Sequence, residues 1–117
     1  MQMTEISFAG ATPIDGYGPG FFRVAGKVIE GAILVTVQSA RSWGGFEDTK
    51  SLLDLAQEVD VIFIGTGAEV AHIPADLRHA LEEANVGVET MSSPAACRTY
   101  NVLLSEGRRV AVAALPV

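Results

Sequence analysis

The sequence predicts an α/β fold built around a mixed, largely parallel sheet, and three features of the chain predict it. From Val59 onward, short apolar runs alternate with amphipathic stretches. Before that, the chain reads as antiparallel β structure folded at Ala25-Gly26. Near its end, a helix with recognisable start and stop signals feeds directly into another apolar run.

The elements follow in order. Phe21 to Val24 is predicted as a short strand, Ala25-Gly26 as a tight turn, and Lys27 to Val37 as a second strand bulged at Gly31. Asp15-Gly16-Tyr17-Gly18-Pro19-Gly20 reads as a turn-rich entry to this hairpin. Gln38 to Phe46 reads as a loop carrying Trp43. Asp48 to Gln57 is predicted helical, with Leu52, Leu55 and Ala56 forming its apolar stripe. Val59 to Ile64 has the continuous apolar character of a strand covered on both faces. Pro74 to Ala84 is predicted as a helix because Leu77, Ala80, Leu81 and Ala84 stand at the i, i+3, i+4 and i+7 positions. Val86 to Met91 is the next strand, and Arg109 to Leu115 the last. Strands alternating with helices imply right-handed crossovers and parallel pairing, while the early hairpin adds antiparallel strands.

Between those last two strands lies the most clearly delimited helix. Ser93 is expected to cap it, Pro94 to occupy the first helical position, and Gly107 to end it in the left-handed conformation. At 100° per residue, Ala96, Tyr100, Leu103 and Leu104 share one face, and Arg98, Asn101 and Ser105 the opposite one. The plain reading of this outward side is a solvated helix back, but Ala95 and Val102 lie on or beside it, a mixture that a partner or a second subunit would explain.

Length and composition narrow the function classes. A chain of 117 residues, 49% apolar and 19% charged, is expected to fold as one globular domain over residues 1–117. Eight Lys and Arg against fourteen Asp and Glu give a net charge of −6, which argues against a nucleic-acid partner. One cysteine excludes an intramolecular disulfide. Met1-Gln-Met-Thr-Glu5 lacks the basic and apolar regions of a signal peptide, and Gly31 to Ala40 is too short to cross a membrane. Together these give the expectation of a cytoplasmic protein with no membrane insertion.

No motif announces a reaction. Gly65-Thr66-Gly67 follows an apolar strand, with Glu89 at the end of the next, as in dinucleotide-binding turns. However, Val70 replaces the third glycine and Pro74 delays the helix, so a phosphate would not meet the helix dipole. Cys97 falls at the edge of the helix's core face and reads as a small buried hydrophobe. His72 and His79, seven apart across Pro74, do not make a zinc site. No catalytic, metal or cofactor residues are assigned. The binding candidates are Arg98, Asn101 and Ser105 on the helix, Gly65, Thr66 and Gly67 after the strand, and Tyr17 and Trp43 among glycines.

Several segments carry a family resemblance. Gly16-Tyr17-Gly18-Pro19-Gly20-Phe21-Phe22, Ile64-Gly65-Thr66-Gly67, Cys97-Arg98-Thr99-Tyr100-Asn101 and Glu106-Gly107-Arg108-Arg109-Val110 resemble a family of small Mth-type domains of unknown function. Its members include the mitochondrial assembly factor 3 of NADH:ubiquinone oxidoreductase (complex I) and the adipogenesis-associated Mth-domain-containing protein. The resemblance runs from about Ile14 to Val117. It implies a three-layer α/β domain, with a central mixed sheet of about five strands and an added β-hairpin layer. It implies no cofactor and no established activity, and for the mitochondrial member a role in assembly. Lacking a targeting segment, this chain looks like a bacterial member. Ser92-Ser93-Pro94 departs from the Asp-Thr-x expected before the helix.

Two function classes follow. The first is a non-enzymatic protein-binding or assembly factor, with respiratory-complex subunits or other assembly factors as partners and homodimerisation as a further expectation. The second is a small-molecule or anion binder, or an enzyme, with a crevice between Gly65-Gly67 and the Pro94 helix, where Arg98 with Thr99 or Tyr100 would meet the ligand.

Overall fold

The computed structural model describes residues 12–117, so the Met1–Glu5 stretch considered above lies outside the described residues. The first sheet is antiparallel, in the order β1 (Ile14–Gly18), β2 (Phe21–Val24), β3 (Lys27–Glu30). Ala25 and Gly26 both take positive φ, 54° and 80°, the twist that a two-residue hairpin requires. The glycine-rich entry is thus itself a strand, β1, with an irregularity between Ile14 and Gly16. Gly16 and Gly18 within it hide the alternation by which strands are recognised.

Gly31 corrects a second expectation. It is not a bulge within one strand but the point where the chain leaves the first sheet. Its φ is +83°, its N–H donates to the Gly20 carbonyl at 2.8 Å, and β4 (Ile33–Val35) belongs to the central sheet. The loop expected over Gln38 to Phe46 contains β5 (Ala40–Ser42), whose Ala-Arg-Ser sequence has no strand signature. After a 3-10 turn over Gly45–Glu47, Asp48 caps α1 (Thr49–Leu53). Hydrogen bonds from the Ser51 hydroxyl, and from backbone N–H groups, hold the Asp48 carboxyl below the usual carboxylate range. The helix is shorter than expected because Leu55 and Ala56 bond three residues back in tight turns.

The remaining elements follow the predicted alternation: β6 (Val61–Gly65), α2 (Ala75–Glu83), β7 (Gly87–Met91), α3 (Ser93–Ser105) and β8 (Val110–Ala114). The central sheet has the order β5-β4-β8-β6-β7, with β6 parallel to β7 and β8, and β4 antiparallel to β5 and β8. Alternation along its inner strands sorts two cores. Phe63, Val110, Val112 and Ala114 pack towards α3 and the first sheet. Ile62, Ile64, Ala111 and Ala113 pack against residues of α1 and α2. The three expected layers, with a five-stranded mixed sheet in the middle, are therefore present.

At the start of α3 the cap shifts by one residue. Ser92 accepts from the Ala95 N–H at 3.3 Å, and Ser93 is already helical. The end is as expected: Gly107 has φ +82°, with Gly107 N–H bonded to Leu104 O and Arg108 N–H to Leu103 O, both at 3.0 Å. This paired arrangement satisfies the last carbonyls.

Candidate functional site

The chain leaves β6 towards α2 and leaves β7 towards α3, on opposite faces of the sheet. In open α/β sheets, ligands bind where adjacent strands diverge in this way. Here the carboxyl ends of β6 and β7 carry Gly65, Thr66, Gly67 and Ser93, and they are joined to one another. The Gly67 N–H donates to Ser93 Oγ at 2.9 Å, and Ser93 Oγ donates to the Leu115 carbonyl at 2.6 Å. The Ser93 N–H donates to Gly67 O at 2.7 Å, and the Leu115 N–H to Gly65 O at 2.9 Å. Thr66 gives its N–H to Met91 O, while its hydroxyl donates to Glu69 O and accepts from the Ala71 N–H. Ser93 is fully buried. The backbone N–H of Gly67, the natural anion donor of such a turn, is spent inside the protein.

Ser93 was expected only as a helix cap; its role in this junction was missed. Nothing in its sequence neighbourhood marks it, since its partners lie 26 and 22 residues away.

The outer face of α3 is less uniform than its helical wheel. Asn101 is half-buried and clamps β1 through two bonds: its Nδ2 donates to Ile14 O at 2.8 Å, and its Oδ1 accepts the Ile14 N–H at 2.9 Å. Ser105 donates to its own helix at Val102 O. Arg98 is exposed and pairs with no group among the described residues, and Val102 beside it is 51% exposed. The expected trio therefore separates into one unpaired side chain, one strand clamp and one local bond. Arg98 also stands apart from Tyr100, whose hydroxyl donates to Thr12 O within the core.

Tyr17 is 47% exposed on β1, its ring 6.5 Å from that of Phe22. Trp43, considered as a contact residue, is only 5% exposed and packs in the α1/α2 core, with Nε1 donating to Asp48 O at 3.2 Å. Its flanking glycines suggested exposure, but they accommodate the turn into the capping Asp48.

Cys97 is buried under α3, and desolvation pushes its thiol up from 9.0 to about 12. Burial also raises the Tyr100 phenol, with Cys97 adding to the effect. Such a thiol is held protonated, the opposite of an activated nucleophile. In the unfolded chain both groups ionise at ordinary alkaline pH, whereas in the folded chain they resist it. Their contribution to stability is fully present below pH 9 and is lost as pH rises towards 12. Between pH 9 and 10.5 the thiol alone should remove about 2 kcal/mol. Urea midpoints measured from pH 7 to 10.5 should fall steeply above pH 9, and Cys97→Ala should flatten that fall.

His79 pairs with Glu83 at 3.1 Å on the surface of α2, and among the described residues no three His, Cys, Asp or Glu side chains gather around a common point. Nor, among them, is any helix long and apolar enough to cross a membrane.

Residues 14–115 match a family described as "Protein of unknown function (DUF498/DUF598)". The chain belongs to this family. An uncharacterized protein of Rhodobacter capsulatus is 52% identical over 117 residues, covering 100% of this chain and 94% of that protein. The NADH dehydrogenase (ubiquinone) 1 alpha subcomplex assembly factor 3 of Danio rerio is 30% identical over 115 residues, covering 92% of this chain but only 66% of that protein. Family membership thus extends to assembly factors. A crystal structure described as an outer membrane protein from Bartonella henselae superposes with a TM-score of 0.82 at 38% identity, covering 91% of this chain and 95% of that one. The structure called MT938, 18% identical with a TM-score of 0.62, shares the fold.

Proposed function

We propose that this protein is a cytoplasmic binding or assembly factor that engages a protein partner through the outer face of α3. The observation that carries the reading is the pairing of unpartnered Arg98 with half-exposed Val102 on a helix whose other side is locked into the core. Arginine beside an exposed aliphatic group suits a protein contact, because the guanidinium can meet a carboxylate while its neighbour buries apolar area. Asn101 ties this helix to β1 and so presents Arg98 and Tyr17 from a fixed frame. Kinship with assembly factors supports the same class, and respiratory-complex subunits are the first partners to test.

Affinity purification from the native host, wild type beside Arg98→Glu, tests it directly. The expected result is enrichment of respiratory-complex subunits or their assembly factors with wild type, reduced at least tenfold in the variant with its melting temperature unchanged. Equal recovery of the same proteins by both would overturn the assignment of the surface.

A further inference from the structure

A separate feature lies far along the sheet from β7. β3 closes one end of the first sheet and β5 one end of the central sheet, and a cavity of about 570 Å³ opens between them. Lys27, Val28, Ile29, Ala40, Arg41 and Ser42 contribute to its lining. That volume lies within the range of specific binding pockets.

The hydrogen-bond register shows which backbone groups face this space. Val24 and Lys27 close a two-residue hairpin and so form a bonded pair, as do Phe22 and Ile29. Val28, opposite Arg23, therefore turns its N–H and C=O away from β2. On the other side, Thr36 N–H donates to Ser39 O at 2.8 Å, and Trp43 N–H to Ala32 O at 2.9 Å. By alternation Leu34 bonds Arg41, while Ala40 and Ser42 turn their backbone groups outward. The cavity is thus bordered by strand edges with groups two residues apart, the spacing at which an added strand pairs.

Its side chains narrow the choice. Lys27 and Ile29 share a face with Phe22 and Val24, and Ala40 and Ser42 share one with Ile33 and Val35, so both faces belong to the α3 layer. Val28 is 51% exposed. Among the described residues no carboxylate lines the space, in a chain of net charge −6. Lys27 pairs with no acid among the described residues. Arg41 stands on the other face of β5, where its charge helps keep Asp48 ionised.

The geometry points to a second interaction site: an extended segment of a partner protein, apolar at alternate positions and bearing a carboxylate for Lys27, adds as a strand along β5 opposite β3. Backbone pairing supplies affinity in this mode, and alternate side chains supply selectivity. A small amphiphile would use the apolar lining but leave the outward amides unused.

The test uses isotope-labelled full-length protein and a terminally blocked octapeptide alternating Val and Thr around a central Glu. Binding should shift the amide resonances of Lys27–Glu30 and Ala40–Ser42. Affinity should fall at least tenfold for the peptide with Lys in place of Glu, and for Lys27→Glu, while Arg98→Glu should leave it unchanged. An N-methylated peptide that cannot pair its backbone should not bind. The proposal is overturned by absence of shifts at millimolar peptide, by shifts confined to α3, or by equal binding of the N-methylated peptide, which would indicate a small-molecule cavity. Contacts from residues 1–11 to β3 or β5 in the free protein would overturn it too, by giving the edge to the chain's own start.

Discussion

Tyr100→Ala is expected to remove about 3–5 kcal/mol of folding stability, much of the ~5–15 kcal/mol that a domain typically has. The side chain is completely buried where α3 meets the first sheet and the central sheet, alongside Phe22, Phe63 and Cys97. Truncation opens a cavity enclosed by α3, the first sheet and the central sheet, and strands on two of its sides resist collapse. The hydroxyl contributes separately through its bond to Thr12 O at 2.9 Å. Tyr100→Phe, which removes only that bond, should cost about 1–3 kcal/mol. Arg98→Ala on the opposite face should stay within about 0.5 kcal/mol of wild type. Urea denaturation of the three variants checks the order. A loss below about 1 kcal/mol for Tyr100→Ala would contradict the packing of α3 against the two sheets.

What could be read from the sequence depended on the range of the interactions responsible. The segment from β6 to β8 was legible because its signals are local: continuous apolar runs, helical spacing of Leu77, Ala80, Leu81 and Ala84, and Gly107 as a stop. The first sheet was only half legible, since a turn at Ala25-Gly26 is local but the exit at Gly31 depends on a bond to Gly20. β5 was invisible because Ala40, Arg41 and Ser42 form a strand only by pairing with β4. The candidate site shows the same division. Helical spacing placed Arg98 and Asn101 outward, yet it could not show that Ile14, 87 residues away, occupies the Asn101 amide. In the sequence Trp43 is open between a core edge and an exposed contact for the converse reason: neighbouring glycines look like exposed loop, while the indole's partners come from Phe46 and the α1 cap, which settle it as core.

Gly65→Ala is expected to be the other severe substitution, at about 2–4 kcal/mol. A Cβ at this position would lie 2.7 Å from Ser93 Cα, 2.7 Å from Ser93 Oγ and 3.0 Å from Ser93 Cβ. Overpacking commonly costs about 1–3 kcal/mol, and here one of the opposing atoms is backbone at the first turn of α3. Relief would require α3 to move away from β6, straining the Gly67–Ser93–Leu115 bonds that join the ends of β6, α3 and β8. Ser93→Gly in the same background should recover only part of the loss. It takes the serine's Oγ and Cβ out of the new methyl group's way, but the backbone of residue 93 still blocks it, and both hydroxyl bonds are deleted. A double-mutant cycle should therefore show a coupling of about 1 kcal/mol or more, whereas simple additivity would mean that the close approach to Ser93 does not control this junction. The consequence reaches the proposed surface, because the junction fixes where α3 begins. If Arg98 works from a fixed frame, a folded Gly65→Ala protein should bind the α3 partner more weakly with no residue of the binding surface altered. Unchanged affinity would show that the placement of Arg98 is set by the Asn101 clamp on β1 instead.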